Sequence, residues 1–310
     1  MVDPHIQRLL DTVFNVAPGA FPPAIDALRD AALQAPRLFG GAPEDVASVV
    51  DTQIVDGAAT IPLRTYRPET QEPLPLVLYA HGGGWVTGSL ESHDKFCRIL
   101  ASRLPAVVAS VDYRCAPEHV YPAALDDVAA AWRWARGHSG ELGSDATRFA
   151  VAGDSSGGNL VAALALRLRA EGAVQPQLQL LLYPALDATC SRAAYAEFAT
   201  GFNLTAQMMA WYWDVYRGGA LPATPELGPL AAEDLSGLAP AVIAIAENDV
   251  LRDDGVDYAT RLNAAGVPTR LIRCDGMIHG FLRWTGAVPG AYQWIDMVLR
   301  ASREALSPQV

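Results

Sequence analysis

Cysteine is scarce in this 310-residue sequence, and the four that occur, Cys97, Cys115, Cys190 and Cys274, stand far apart. No Cys-x-x-Cys pair and no Cys/His ligand spacing is present, which speaks against a zinc site, a dithiol redox centre or a secreted disulfide framework. Reduced, mostly buried thiols and no bound metal are expected. Also missing is any apolar run near the roughly 20 residues needed to span a bilayer. The opening stretch Met1-Val2-Asp3-Pro4-His5 lacks the basic segment followed by an apolar one that a secretory leader carries. There is no positive excess: the net charge is −11, which disfavours nucleic acid and anionic membrane surfaces as partners. Internal repeats and low-complexity tracts are absent as well. These absences together point to a soluble, cytoplasmic globular protein. With 51% hydrophobic and 18% charged residues, a chain of this length can build a large α/β core without disulfides or metal.

Two amphipathic helical segments open the chain. Asp3-Pro4 reads as a cap followed by proline at the first helical position, and Ile6, Leu9, Leu10, Val13 and Phe14 share one face. Residues 17–23 (Ala-Pro-Gly-Ala-Phe-Pro-Pro) break the chain, and a second amphipathic stretch runs from about Ala24 to Leu38. From Val46 the pattern changes to strands. Val46–Val55 and Ile61–Arg67 suggest an antiparallel pair turning at Asp56-Gly57. Short apolar runs follow at Leu74–Ala80, Ala106–Tyr113, Phe149–Gly153, Leu178–Tyr183, Ala241–Glu247 and Thr269–Cys274. Strands this continuously apolar imply a mostly parallel sheet, eight-stranded with the opening pair, and covered by helices on both faces. The helices fit at Asp94–Leu104, Ala123–Arg136, Ser156–Glu171, Asp253–Ala265 and Ala291–Leu306. The connection from Tyr183 to Ala241 is too long for a simple crossover. Its segments Ala193–Ala199 and Thr205–Tyr216 are expected to form a helical cap together with the two N-terminal helices. The expected organisation is therefore cap helices in residues 1–45, a catalytic α/β part in 46–185, a cap insertion in 186–225 and the rest of the α/β domain in 226–310.

Gly153-Asp154-Ser155-Ser156-Gly157 is the one Gly-x-Ser-x-Gly in the chain, and it lies between the strand ending at Ala152 and a helix. Glycines on either side permit a sharp strand-to-helix turn that holds the Ser155 hydroxyl clear of the sheet. A serine hydroxyl needs a base, and the chain order for such a site is Ser, then acid, then His. His279, in Gly276-Met-Ile-His-Gly280, is the one histidine after Ser155. Asp249 follows the strand Ala241–Glu247 directly, where a carboxylate can fix the imidazole tautomer. Asp253, Asp254 and Asp257 are rivals, but their place in the next helix has a simpler reading as complements to its dipole.

His81-Gly82-Gly83-Gly84-Trp85 follows the strand Leu74–Ala80. Its glycines let main-chain N–H groups of Gly83 and Gly84 turn towards a developing oxyanion, with the Ser156 N–H as a third donor. No Gly-Lys-Ser/Thr follows, which excludes a phosphate loop. His81 and Asp154 read as structural support for this loop rather than as reacting groups. Trp85, Phe14, Phe202, Leu204, Met208, Trp211, Val250 and Ile278 are the candidate lining of a substrate pocket.

Together these residues resemble the hormone-sensitive-lipase-type (bacterial family IV) carboxylesterases of the α/β-hydrolase fold, over about Val46 to Phe281. The likeness rests on His81-Gly-Gly-Gly-Trp85, Val111-Asp-Tyr-Arg-Cys-Ala-Pro-Glu118, Tyr121-Pro-Ala-Ala-Leu-Asp126, Gly153-Asp-Ser-Ser-Gly157, Asp249-Val-Leu-Arg-Asp253 and Gly276-Met-Ile-His-Gly-Phe281. It implies a cofactor-independent serine esterase favouring short- to medium-chain acyl esters under a helical cap. Asp154 places the chain with a Gly-Asp-Ser-x-Gly branch, whose members often dimerise through the edge of the last strand. Tyr113, Arg114 and Glu118 are expected in a buried polar network behind the oxyanion loop. Cys115, Ser156 and Val250 depart from the commoner Leu, Ala and Pro, and the last two bear on pocket shape. An amidase or peptidase would keep the triad, but no large substrate-sizing domain is present. A non-catalytic receptor resembling this family would lack the histidine that stands here as His279.

Overall fold

The computed structural model describes residues 1–14, 21–70, 72–219 and 224–307. Of the chain break expected over residues 17–23, only 21–23 fall within the described residues; 220–223 of the expected cap insertion also lie outside them. The strands β1 (Ser48–Asp56) and β2 (Ala59–Arg67) form the antiparallel hairpin that the Asp56-Gly57 turn implied. The strands β3 (Leu74–Ala80), β4 (Val107–Val111), β5 (Ser144–Asp154), β6 (Leu178–Leu182), β7 (Ala241–Asn248) and β8 (Thr269–Ile278) pair in parallel. With β2 joined antiparallel to β4, they make an 8-stranded sheet ordered β1-β2-β4-β3-β5-β6-β7-β8.

Alternation along each strand sends residues to two cores. In β3, Leu76, Leu78 and Ala80 face one core, while Val77 and Tyr79 face the other. The helices α4 (Ala123–Gly137), α5 (Ser156–Ala170) and α8 (Arg252–Ala264) cover the first face. The second is covered by α3 (Leu90–Arg103) and α9 (Ala291–Leu306), joined by α1 (Pro4–Thr12) through Ile6 and Leu9. This is the α/β-hydrolase architecture that the motif order implied. Of the remaining helices, α6 (Ala193–Glu197) adds Ala194 and Tyr195 and α7 (Ala206–Arg217) adds Met209, Trp213 and Tyr216 to the first core, while α2 (Ile25–Phe39) packs Phe39 against the second.

Several boundaries differ from the sequence pattern; β5, for one, begins at Ser144 rather than Phe149. The helix α3 begins at Leu90 rather than Asp94, because Ser89 and Ser92 cap each other's backbone N–H groups. The strand β8 runs beyond Cys274 to Ile278, with an irregularity between Ala246 and Asn248 that restores pairing at Asn248 and Ile278. The ends of β7 and β8 thereby stay together at the carboxyl edge of the sheet. The connection after β3 crosses to β4 on one side, while β5 lies on β3's other side. The carboxyl ends of β3 and β5 therefore open a crevice of the kind where open α/β sheets bind ligands.

Candidate active site

Ser155 occupies the turn between β5 and α5 with φ 56° and ψ −119°, a conformation few side-chain-bearing residues adopt. Three backbone bonds hold it there: Ser155 N–H donates to Leu182 O (2.9 Å), and Ser155 O accepts from Asn159 N–H (3.1 Å) and Ala185 N–H (3.2 Å). The flanking glycines serve close packing. A Cβ on Gly157 would collide with the Ala80 carbonyl, and one on Gly153 with the backbone of Gly157.

The restored pairing of Asn248 with Ile278 brings the next residues of β7 and β8, Asp249 and His279, side by side. His279 Nδ1 lies 2.7 Å from Asp249 Oδ2, and its Nε2 lies 2.9 Å from Ser155 Oγ. A carboxylate only accepts hydrogen bonds, so Nδ1 carries the ring proton and Nε2 is free to accept from the Ser155 hydroxyl. The rival acids are engaged elsewhere. Asp253 accepts from Ala194 N–H, Asp257 pairs with Arg192, and buried Asp254 accepts from Leu186 and Asp187 N–H. Burial also pushes the Asp254 carboxyl well above the ordinary carboxylate range.

On the other side of Ser155, Gly83 (φ 134°) and Gly84 (φ 62°) turn the loop after β3 towards the crevice. The N–H groups of Gly83, Gly84 and Ser156 donate to no protein acceptor among the described residues. The loop itself is clamped. Thr87 donates from N–H and Oγ1 to Gly83 O, Gly82 N–H donates to Asp154 Oδ1 (2.7 Å), and the Tyr113 hydroxyl donates to His81 O (2.7 Å). Burial works to raise the Asp154 carboxyl, yet His93, Arg283 and the Tyr79 hydroxyl together hold it below the usual carboxylate range. His81 is stacked on Tyr113 and His93, and burial pushes it down to about 3, so it is neutral near pH 7. It can orient the loop, but it carries no charge there. The expected buried network is thus built on Tyr113; Arg114 pairs with Asp127, and Glu118 is exposed and pairs with Arg29.

A cavity of about 510 Å³ opens over Ser155 and His279. Phe14, Leu204 and Met208 line it as expected. The other expected lining residues do not. Trp85 turns away at φ 59° and is buried flat against Tyr216 (ring centroids 4.4 Å) and beside Trp213. Val250 and Ile278 are buried in the first and second cores instead of the cavity wall. Phe202 packs edge-on to Phe198, and Trp211 sits on the flank of α7 against Phe21 and Tyr212.

Their places are taken by α2, through Leu28, Ala31, Ala32, Ala35, Leu38 and Phe39, and by Tyr212, Arg283 and Trp284. The spacing within α2 marked an apolar face, which was the one signal in the sequence for this wall. Arg29 on the same helix donates to Val86 O (3.0 Å) and pairs with Glu118, tying α2 to the end of the glycine loop. The Tyr212 ring rests so close to Gly84 that a Cβ there would collide with it. Tyr183, also unforeseen, holds φ 37° and sets its ring edge-on to His279 (4.9 Å). Among the described residues no helix is long and apolar enough to cross a membrane, and no cluster of His, Cys, Asp or Glu is arranged to hold a metal ion.

A family model for the α/β-hydrolase fold matches residues 77–283. The chain is similar to the carboxylic ester hydrolase LipN of Mycobacterium tuberculosis, 40% identical over 99% of this chain and 84% of that protein. An ethyl acetate hydrolase of Pseudomonas putida is 40% identical over 80% of this chain and 79% of its own. Among solved structures, a hyperthermophilic esterase from the archaeon Pyrobaculum calidifontis superposes with a TM-score of 0.92 at 35% identity, covering 99% of both chains.

Proposed function

The chain belongs to the hormone-sensitive-lipase-type ester hydrolases of the α/β-hydrolase fold, and from that membership we propose that Ser155, His279 and Asp249 are the residues that cleave its esters. The observation that carries this reading is the unbroken chain Ser155 Oγ–His279 Nε2 (2.9 Å) and His279 Nδ1–Asp249 Oδ2 (2.7 Å) at the floor of the cavity. Ser155 Oγ attacks the ester carbonyl while Nε2 takes its proton. The oxygen that becomes negative is met by the Gly83, Gly84 and Ser156 N–H groups. His279 then protonates the departing alcohol, and water repeats the sequence on the acyl-enzyme to release the acid. Asp249, in our reading, holds the imidazole in the accepting tautomer and stabilises the imidazolium. An amidase would use the same groups; matched ester and amide substrates separate the two.

The α1–α2 region and the insertion carrying α6 and α7 act, in this proposal, as a cap that limits the cavity. A closed apolar pocket rewards each buried methylene by up to about 0.8 kcal/mol until it is full. A longer acyl chain must then displace the cap or stay in water. The expected optimum lies near butyrate to hexanoate. A p-nitrophenyl ester series measures it, and kcat/KM still rising at palmitate would refute the closed pocket.

We also propose a homodimer through β8. This strand lies at the edge of the sheet with Leu271 exposed, and its outer backbone groups can pair with a second copy. Light scattering at micromolar concentration should return twice the monomer mass; the monomer mass would overturn it. Four free cysteines suit a reducing cytoplasm, a reading that cell fractionation would end by finding the protein outside.

A further inference from the structure

Among the described residues, two charged side chains line the catalytic cavity, Asp154 and Arg283. Asp154 is well supplied with donors. Its Oδ1 accepts from the Tyr79 hydroxyl (2.6 Å) and the Gly82 N–H (2.7 Å), and His93 Nε2 lies 3.4 Å away. Arg283 is in a different position. It sits on the short helix Phe281–Arg283 that follows His279, and only 22% of its side chain is exposed. The one carboxylate within ion-pair range among the described residues is Asp154, with Oδ2 4.0 Å from Arg283 Nε, too far for a hydrogen bond. Nε has no hydrogen-bond partner among the described residues. A Cβ on Gly280 would lie 3.5 Å from one of its terminal nitrogens, so the guanidinium folds back beside the residue that follows the base. The cavity it lines is mainly apolar, with walls from α2, Phe14 and Trp284.

A guanidinium keeps its charge near neutral pH and presents five donors in a fork that matches a carboxylate. The buried Nε has no acceptor to offset its desolvation, and the terminal nitrogens donate to no protein acceptor among the described residues, so they are free to form charge-assisted hydrogen bonds with an incoming anion. We propose that Arg283 is a specificity residue that receives an anionic group of the substrate, so that the preferred esters carry a carboxylate. This rests on ester hydrolysis at Ser155 and names the substrate class for that same site. The carboxylate can belong to the acyl part, as in the monoester of a dicarboxylic acid, or to the alcohol part, as in an acylated hydroxy acid.

The test compares two matched pairs in the wild-type enzyme and in Arg283→Met: 4-nitrophenyl hexanoate with mono-4-nitrophenyl adipate, and hexyl acetate with 6-acetoxyhexanoate. In at least one pair the carboxylate member should be the better wild-type substrate by kcat/KM. In that pair Arg283→Met should lower the carboxylate-to-neutral ratio by about ten-fold or more, with Arg283→Lys between the two. The ratio is the readout because lost packing lowers both members of a pair alike. Arg283→Gln serves if the methionine variant does not fold, and the wild-type ratio needs no variant at all. A wild-type ratio below one in both pairs overturns the proposal, as does a ratio left unchanged by replacing Arg283. The pair that responds identifies which end of the ester carries the charge. If none of the four esters is hydrolysed, the ester-hydrolase reading itself falls, and this inference with it.

Discussion

Ser155→Ala should lower kcat for p-nitrophenyl butyrate by about 10⁶-fold, leaving only what binding and the oxyanion donors supply. The change removes one oxygen and one hydrogen bond, to His279 Nε2. The turn keeps its three backbone bonds to Leu182, Asn159 and Ala185, so the loss is chemical rather than structural. An organophosphonate should label the wild-type protein once, on the peptide containing Ser155, and should leave the variant unlabelled. Label on another residue of the wild type, or a variant retaining more than about one hundredth of the rate, would remove Ser155 from the role of nucleophile.

Asp249→Asn should cost about 10⁴-fold in kcat with little change in folding. The outcome depends on which way the new amide points. Asp249 Oδ1 accepts from Leu251 N–H at 3.0 Å, and only an oxygen can do so. The amide nitrogen is then left facing His279 Nδ1, where the carboxylate accepted at 2.7 Å. Two donors cannot share that contact, so the imidazole shifts its proton to Nε2 and can no longer accept from Ser155. The thermal midpoint should move by only a few degrees, since the side chain keeps its shape. A loss of less than ten-fold would mean that Asp249 does not set the tautomer.

Both variants probe residues that are legible in the sequence alone. The Gly-x-Ser-x-Gly turn, the glycine loop after β3 and the order Ser, acid, His are local statements, since each depends on a few consecutive residues and the element beside them. The sheet was legible for a related reason: apolar runs flanked by turns specify strands one at a time, and β3 matched its expected limits. At the start of α3 and the end of β8 the limits moved through local chemistry without a strong pattern. A serine at both ends of a capping box began α3 four residues early, and an irregularity in β7/β8 carried pairing on to Ile278.

The cavity wall was much less legible. Trp85, Phe202, Trp211, Val250 and Ile278 looked like lining because they are large, apolar and near the motifs, yet they turn into other packing. Tyr212 lies one residue from Trp211 and does line the cavity, which shows how finely the rotation of α7 sorts its aromatics. Ala31, Ala32 and Ala35 contribute by being small, and smallness has meaning only once α2 is docked and its distance from the opposite wall is set.

By itself, then, the sequence determined the reaction class and singled out the groups proposed to carry it, because the proposed nucleophile, base, acid and oxyanion donors each belong to a short local motif. Only the tertiary structure decided what those groups face. The pairing of Asn248 with Ile278 sets Asp249 against His279, the tether from Arg29 to Val86 and Glu118 anchors α2, and the turn after His279 leaves Arg283 in the cavity short of a full partner. The physical reason is that each of these contacts joins residues distant in the chain. Their meeting depends on register and on the rotation of docked helices, which no local run of residues specifies.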